Sequence, residues 1–223
     1  MTDELATIDD FNELMAGTQG KFASEAALAD ISKASSWLPY VQLMGSNSIE
    51  VKKGEFPIGH FALRAGKDSI IDLGDEVVMF LIAVRPKAMQ FKPKVVSVFD
   101  SASALFKDFR TKADTVKNSG CAYGPEFFVW LPEMNQFASY FMGNKTGRNE
   151  SGKLTALMEA DQRACKQKAK LIVGTEFSWH GPVTLPYDLE FAMPPREQLM
   201  QELEKFSNPP EATEEPAEED ERG

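Results

Sequence analysis

Eight consecutive apolar residues, Val77 to Val84 (VVMFLIAV), make the longest uninterrupted apolar run of the chain. Rich in β-branched residues and free of charge, this run suits a strand buried on both faces, and it is far short of the roughly 20 residues a membrane helix needs. A strand of that kind needs apolar cover on two sides. With 223 residues and 43% hydrophobic content, the chain can supply it within one core of about 170 residues plus ragged ends.

The flanking segments are punctuated. Leu38 to Met44 and Gly59 to Ala65 read as strands bounded by Gly45, Gly59 and Gly66, and Leu73-Gly74-Asp75 supplies the turn before the long apolar run. Helical period appears from Ser101 to Gly120, where Leu105, Phe109, Lys112, Ala113 and Val116 share a stripe and Ser101 or Ser103 is positioned to cap it. EFFVWL and QFASYFM alternate as two arms of a hairpin around Pro132 to Asn135, although QFASYFM alone also suits a helix. Asn149 to Lys170 is expected to be a helix, Lys170 to Trp179 and Thr184 to Ala192 a strand pair turning at His180-Gly181-Pro182, and Pro195 to Phe206 a last amphipathic helix. Antiparallel hairpins with inserted helices make the expected class α+β: a mostly antiparallel β-barrel with inserted helices and a C-terminal helix. A barrel of the oligonucleotide-binding (OB-like) type fits this order, and so do other β-barrels.

Charge divides the chain differently. Residues 1–30 and residues 209–223 each carry a net charge of −6, which within a total of −10 leaves the body at +2. The last fifteen residues hold seven carboxylates, one arginine and three prolines, too little apolar surface to offset chain entropy. The expected organisation is an acidic N-terminal arm over 1–35, a single β-barrel-type domain over 36–208 and a disordered acidic tail over 209–223. The acidic start MTDELATIDD differs from the basic-then-apolar start of a signal peptide, so the expected compartment is the cytoplasm.

The inventory for catalysis is thin. His60 and His180 stand in no metal-ligand spacing with each other or with Cys121 and Cys165, so no metal site and no cofactor are expected. Cys121, before Ala122-Tyr123-Gly124-Pro125, shows no base beside it in sequence, and the chain is read as a non-enzyme. GNKTGR (Gly143 to Arg148) lacks the GxxxxGK[ST] order of a nucleotide P-loop. What it keeps is a glycine-flanked segment with Lys145 and Arg148 before a helix, a setting that favours an anion.

Two basic stretches carry the positive case. Arg85 to Lys117 holds eight bases against three acids, and Lys145 to Lys170 holds seven against three. They flank a hairpin containing Tyr123, Phe127, Phe128, Trp130, Tyr140 and Phe141. Alternation places Phe127, Val129 and Leu131 on one side and Phe128 and Trp130 on the other, so one side is expected in the core and the other is free to stack bases. If the basic faces converge, they follow a phosphate backbone while exposed rings hold bases. The candidate contacts are Arg85, Lys87, Lys92, Lys94, Tyr123, Trp130, Tyr140, Lys145, Arg148 and Trp179.

With its alternating basic and aromatic strands and the tail EATEEPAEEDERG, the layout resembles phage and bacterial single-stranded-DNA-binding proteins. That resemblance implies a sequence-independent DNA-binding barrel acting in replication or recombination, with an acidic tail that occupies the DNA groove or engages replication proteins. It implies the host cytoplasm if the chain is phage-encoded. Such tails often end in a hydrophobic residue that docks into partners, whereas this one ends Asp220-Glu221-Arg222-Gly223. The segment Tyr123 to Arg148 also looks like phage-encoded proteins. Self-association as a homo-oligomer stays open. So does the competing reading, a protein-interaction or virion-associated module that binds no nucleic acid.

Overall fold

The computed structural model describes residues 38–46, 48–65, 69–92, 95–173, 176–184 and 193–207, with the backbone alone for 168–173 and 176–184. The expected arm over 1–35 and tail over 209–223 lie outside these residues. The described chain runs β1 (Tyr40–Leu43), α1 (Ile49–Lys52), β2 (Phe61–Arg64), β3 (Ile70–Gly74), β4 (Glu76–Gln90), β5 (Val96–Val98) and α2 (Ala104–Thr115). It continues through β6 (Cys121–Leu131), a 3-10 turn (Pro132–Met134), β7 (Gln136–Phe141), α3 (Lys145–Glu159), β8 (Ala164–Val173), β9 (Glu176–Thr184) and α4 (Arg196–Ser207).

All nine strands join one sheet in the order β3-β2-β1-β7-β6-β4-β8-β9, with β5 paired to the end of β4. The class is α+β, and the sheet curls into a half-barrel. It is mixed: β1 runs parallel to β7 while the other pairings are antiparallel. The 15-residue β4 is its longest strand, pairing with β8 through Glu76–Phe80 and with β6 from Phe80 to Gln90. The uncharged run at Val77 to Val84 is the centre of this strand. Met79, Leu81 and Val77 enter one core and Phe80 and Ile82 another.

Two prolines sit opposite each other on the central pair, Pro86 against Pro125. The Pro125 carbonyl accepts from Met142 N–H at 3.0 Å, so its backbone polar groups point away from β4 and the missing donors cost this rung no hydrogen bond. A bulge between Leu81 and Ala83 is closed by buried Arg163, whose Nη1 donates to the carbonyls of Leu81 (3.3 Å) and Ile82 (3.1 Å). Burial pushes the Arg163 pKa down, against the pull of Asp161.

Both faces of the sheet are covered. On one, Phe127, Val129, Leu131, Tyr140 and Cys165 bury with Leu154 of α3, and Leu157 and Met158 close the edge. On the other, Phe128, Trp130, Phe137 and Phe80 bury with Leu199, Leu203 and Phe206 of α4. The expectation that one side of β6 is open is therefore corrected. A helix some 65 residues further along the chain covers it, and three apolar side chains at helical spacing contribute about 1.5–3 kcal/mol each.

Two further boundaries differ from expectation. The helix expected over Asn149 to Lys170 begins earlier, at Lys145, where the Asn144 side chain accepts from Gly147 N–H at 2.5 Å, and it ends at Glu159. Asp161 has left-handed backbone (φ 57°), after which Cys165 and Gln167 are buried and alternate with Lys166, which pairs with Glu76: the period has changed from helix to strand. The β8–β9 hairpin pairs Val173 with Glu176, so His180-Gly181-Pro182 lies inside β9 rather than at the turn. QFASYFM resolves as a strand, β7.

Candidate nucleic-acid interface

The first basic stretch reaches the surface through α2. Ser103 caps it by accepting from Phe106 N–H at 3.2 Å, and Phe106 and Phe109 bury against Ala88 and Val98. That register turns Lys107, Arg110 and Lys112 outward. Lys112 pairs with Asp108 at 2.6 Å, a bond that raises the lysine pKa.

The second stretch arrives at the same place through the first turn of α3. The Arg148 guanidinium carbon lies 4.1 Å from the centre of the Tyr123 ring, and that of Arg110 lies 5.4 Å from it. Asp114 ties the group together, one carboxylate oxygen accepting from Tyr123 OH at 2.8 Å and the other from Arg148 Nη2 at 3.1 Å. Arg148 Nη1 also donates to the Gly143 carbonyl at 2.9 Å. Glycines permit this approach: a Cβ on Gly124 would collide with the Met142 carbonyl, and one on Gly143 with the Phe141 ring. Cation–ring contacts of this kind contribute about 0.5–1 kcal/mol each at exposed sites.

Lys107 and Arg110 on α2, Lys117 just after it and Lys145 at the start of α3 are exposed, and none of them forms an ion pair among the described residues. At the end of β4, Phe91 is 47% exposed and donates its N–H to the Gly120 carbonyl at 2.8 Å, which sets Phe91 and exposed Lys92 beside the turn that follows α2.

The ten candidate contacts therefore separate. Tyr123 and Arg148 are brought together, Lys145 is exposed three residues before Arg148 in the first turn of α3, and Lys92 is exposed just past the end of the central strand. Arg85 and Lys87 are not surface residues: both are buried against Glu126, at 2.6 Å and 2.7 Å, and Arg85 also donates to the Phe206 carbonyl at 2.5 Å. Burial would raise the Glu126 pKa, but Lys87 and Arg85 more than reverse this and hold it at about 2. Trp130, 1% exposed, and Tyr140, 4% exposed, are corrected likewise, because helices cover both sides of the hairpin. Lys94 lies outside the described residues, and Trp179 is placed by backbone alone, on β9 opposite Ala169.

Arg110, Asp114, Glu126 and Phe206 were not singled out from sequence. Glu126 carried a signal, a lone acid entering the apolar run FFVWL, but pairing it with Arg85 requires the β4–β6 register.

Among the described residues no group of three or more His, Cys, Asp or Glu is placed to hold a metal ion, and no helix is long and apolar enough to cross a membrane. Cys165 is buried, which pushes its thiol up to about 12. His60 Nδ1 lies 3.0 Å from both oxygens of Asp72, joining β2 to the neighbouring β3 at an exposed position. No protein-family model, curated protein or solved structure matches this chain.

Proposed function

We propose that this chain binds single-stranded DNA without reading its sequence, through the surface formed by α2, Tyr123 and the first turn of α3. The observation that carries the reading is convergence: Arg110 from one basic stretch and Arg148 from the other both lie over the Tyr123 ring. Arg148 is largely committed to Asp114 and Gly143, so its part is to hold Tyr123 and the helix start. Lys107, Arg110, Lys117 and Lys145 neutralise phosphates, and Phe91 offers a ring to a base at the rim. The acidic tail over 209–223 competes for this surface or engages replication proteins.

The measurement is fluorescence anisotropy of labelled oligo(dT) at two or more salt concentrations. Replacing Arg110 and Lys145 by Ala is expected to lower the slope of log K against log salt by about 0.7 for each phosphate contact removed. A salt-independent affinity, or variants that bind like the parent chain, overturns the assignment. The second reading, a protein-docking module, is favoured by the exposure of Phe91, Val95, Leu105 and Val116 on and around α2. It predicts no oligonucleotide binding at any salt concentration.

A further inference from the structure

Beneath α4, the one ring that the helix contributes meets two planar groups, Arg85 and Phe128, each of which stacks on a further ring. The Arg85 guanidinium carbon is 3.8 Å from the centre of the Phe99 ring and 4.0 Å from that of Phe206. Phe206 lies near-parallel to Phe128, 5.1 Å between centres at 16°, and Phe128 lies near-parallel to Phe137, 5.3 Å at 19°. Phe99, Arg85, Phe128 and Phe137 belong to the sheet and its connections. Phe206 alone comes from the C-terminal helix, bridging a cation and a ring. Lys87 stands beside them, its Nζ 5.6 Å from the centre of the Phe99 ring, so the three buried charged groups Arg85, Lys87 and Glu126 sum to +1.

We infer that Phe206 holds the place of a nucleobase: when α4 lifts from the sheet, the gap between Arg85 and Phe128 accepts an unpaired base of a bound single strand. This inference rests on the proposed DNA-binding function and adds a second site to it. A flat gap bounded by a guanidinium on one side and a phenyl ring on the other takes a π-faced group of any base identity, with Lys87 at hand for the neighbouring phosphate. The segment that fills the gap carries the charge sign of nucleic acid. Residues 196–207 hold three acids against two bases, and residues 209–223 follow with a net −6. Arg85, Phe128 and Trp130 lie under a 12-residue helix whose buried side chains are Leu199, Leu203 and Phe206, and Lys87 joins them through Glu126 and Phe99.

Amide hydrogen exchange over residues 196–207 of the unaltered full chain, with and without saturating oligo(dT), tests this directly. Faster exchange of α4 in the complex is expected, and Phe206→Ala is expected to bind oligo(dT) at least about tenfold more tightly, because the open state is then more populated. If the chain binds oligo(dT) and α4 exchange is unchanged or slowed, the base slot is wrong while the α2–Tyr123 surface stands. If neither the chain nor Phe206→Ala binds oligo(dT), the DNA-binding reading fails and the slot falls with it. Should Phe206→Ala not fold, the exchange measurement on the unaltered chain decides alone.

Discussion

Arg85 and Glu126 face each other across β4 and β6 in the strand register and pair at 2.6 Å with the Glu126 carboxylate wholly enclosed. Lys87 takes the second carboxylate oxygen at 2.7 Å. Two cations thus converge on one acid inside the sheet, and the helix α4 is bonded to the same group through the Phe206 carbonyl.

Removing the acid leaves both cations buried without it. Glu126→Gln is therefore expected to lower unfolding free energy by about 3–5 kcal/mol, measured by urea denaturation at neutral pH. A loss under about 1 kcal/mol, the range of an exposed pair, would show that the cluster is open to water.

The same carboxylate sets a pH dependence. Its folded pKa, about 2, lies below the unfolded value near 4.5, so its contribution is fully present above that unfolded value and is lost as pH falls toward 2. The unfolding free energy, from urea denaturation at each pH, is expected to drop through this window by an amount on the order of 3 kcal/mol from this group. Glu126→Gln should flatten the curve there. A variant as acid-sensitive as the parent chain places the dependence on other carboxylates.

What the sequence discloses about this fold is what short range can carry. Val77 to Val84 needs no partner to be read as a strand buried on two faces, and helical period with a serine before it marks α2, although the side chains it buries are Phe106 and Phe109 while Leu105 and Val116 of the expected stripe are exposed. The errors arise where a distant segment decides. Past Asp161, Cys165 and Gln167 become strand residues because β4 pairs with them through Glu76 to Phe80. Phe128 and Trp130 are core because α4 returns to cover them. Of the candidate site, the basic stretches and Tyr123 were legible as composition, while the burial of Arg85 and Lys87 depends on one opposing acid that only the register reveals.

Gly124 gives a test of the Tyr123–Arg148 assembly that removes no charge. A Cβ there meets the Met142 carbonyl and lies 3.2 Å from the Arg148 side chain, so Gly124→Ala must push β6 away from the start of α3. The expected cost is about 1–3 kcal/mol, read as a lower thermal midpoint, together with weaker oligo(dT) binding at every salt concentration. Unchanged stability would mean that this approach yields freely.

Truncation after Asn208 addresses the acidic segment. α4 ends at Ser207, leaving sixteen residues that at full extension span up to about 55 Å, enough to reach the α2–Tyr123 surface from any point on a domain of this size. A net −6 held on the same chain acts at a high effective concentration against phosphate, and its attraction to Lys107, Arg110, Lys117 and Lys145 weakens with salt as the DNA contacts do. The truncated chain is therefore expected to bind oligo(dT) more tightly than the full chain at low ionic strength, by about tenfold, with the gap closing as salt rises past roughly 0.3 M. Equal affinities at low salt would assign the segment to partner binding or solubility alone. A gap that persists at high salt would point to a contact that is not electrostatic.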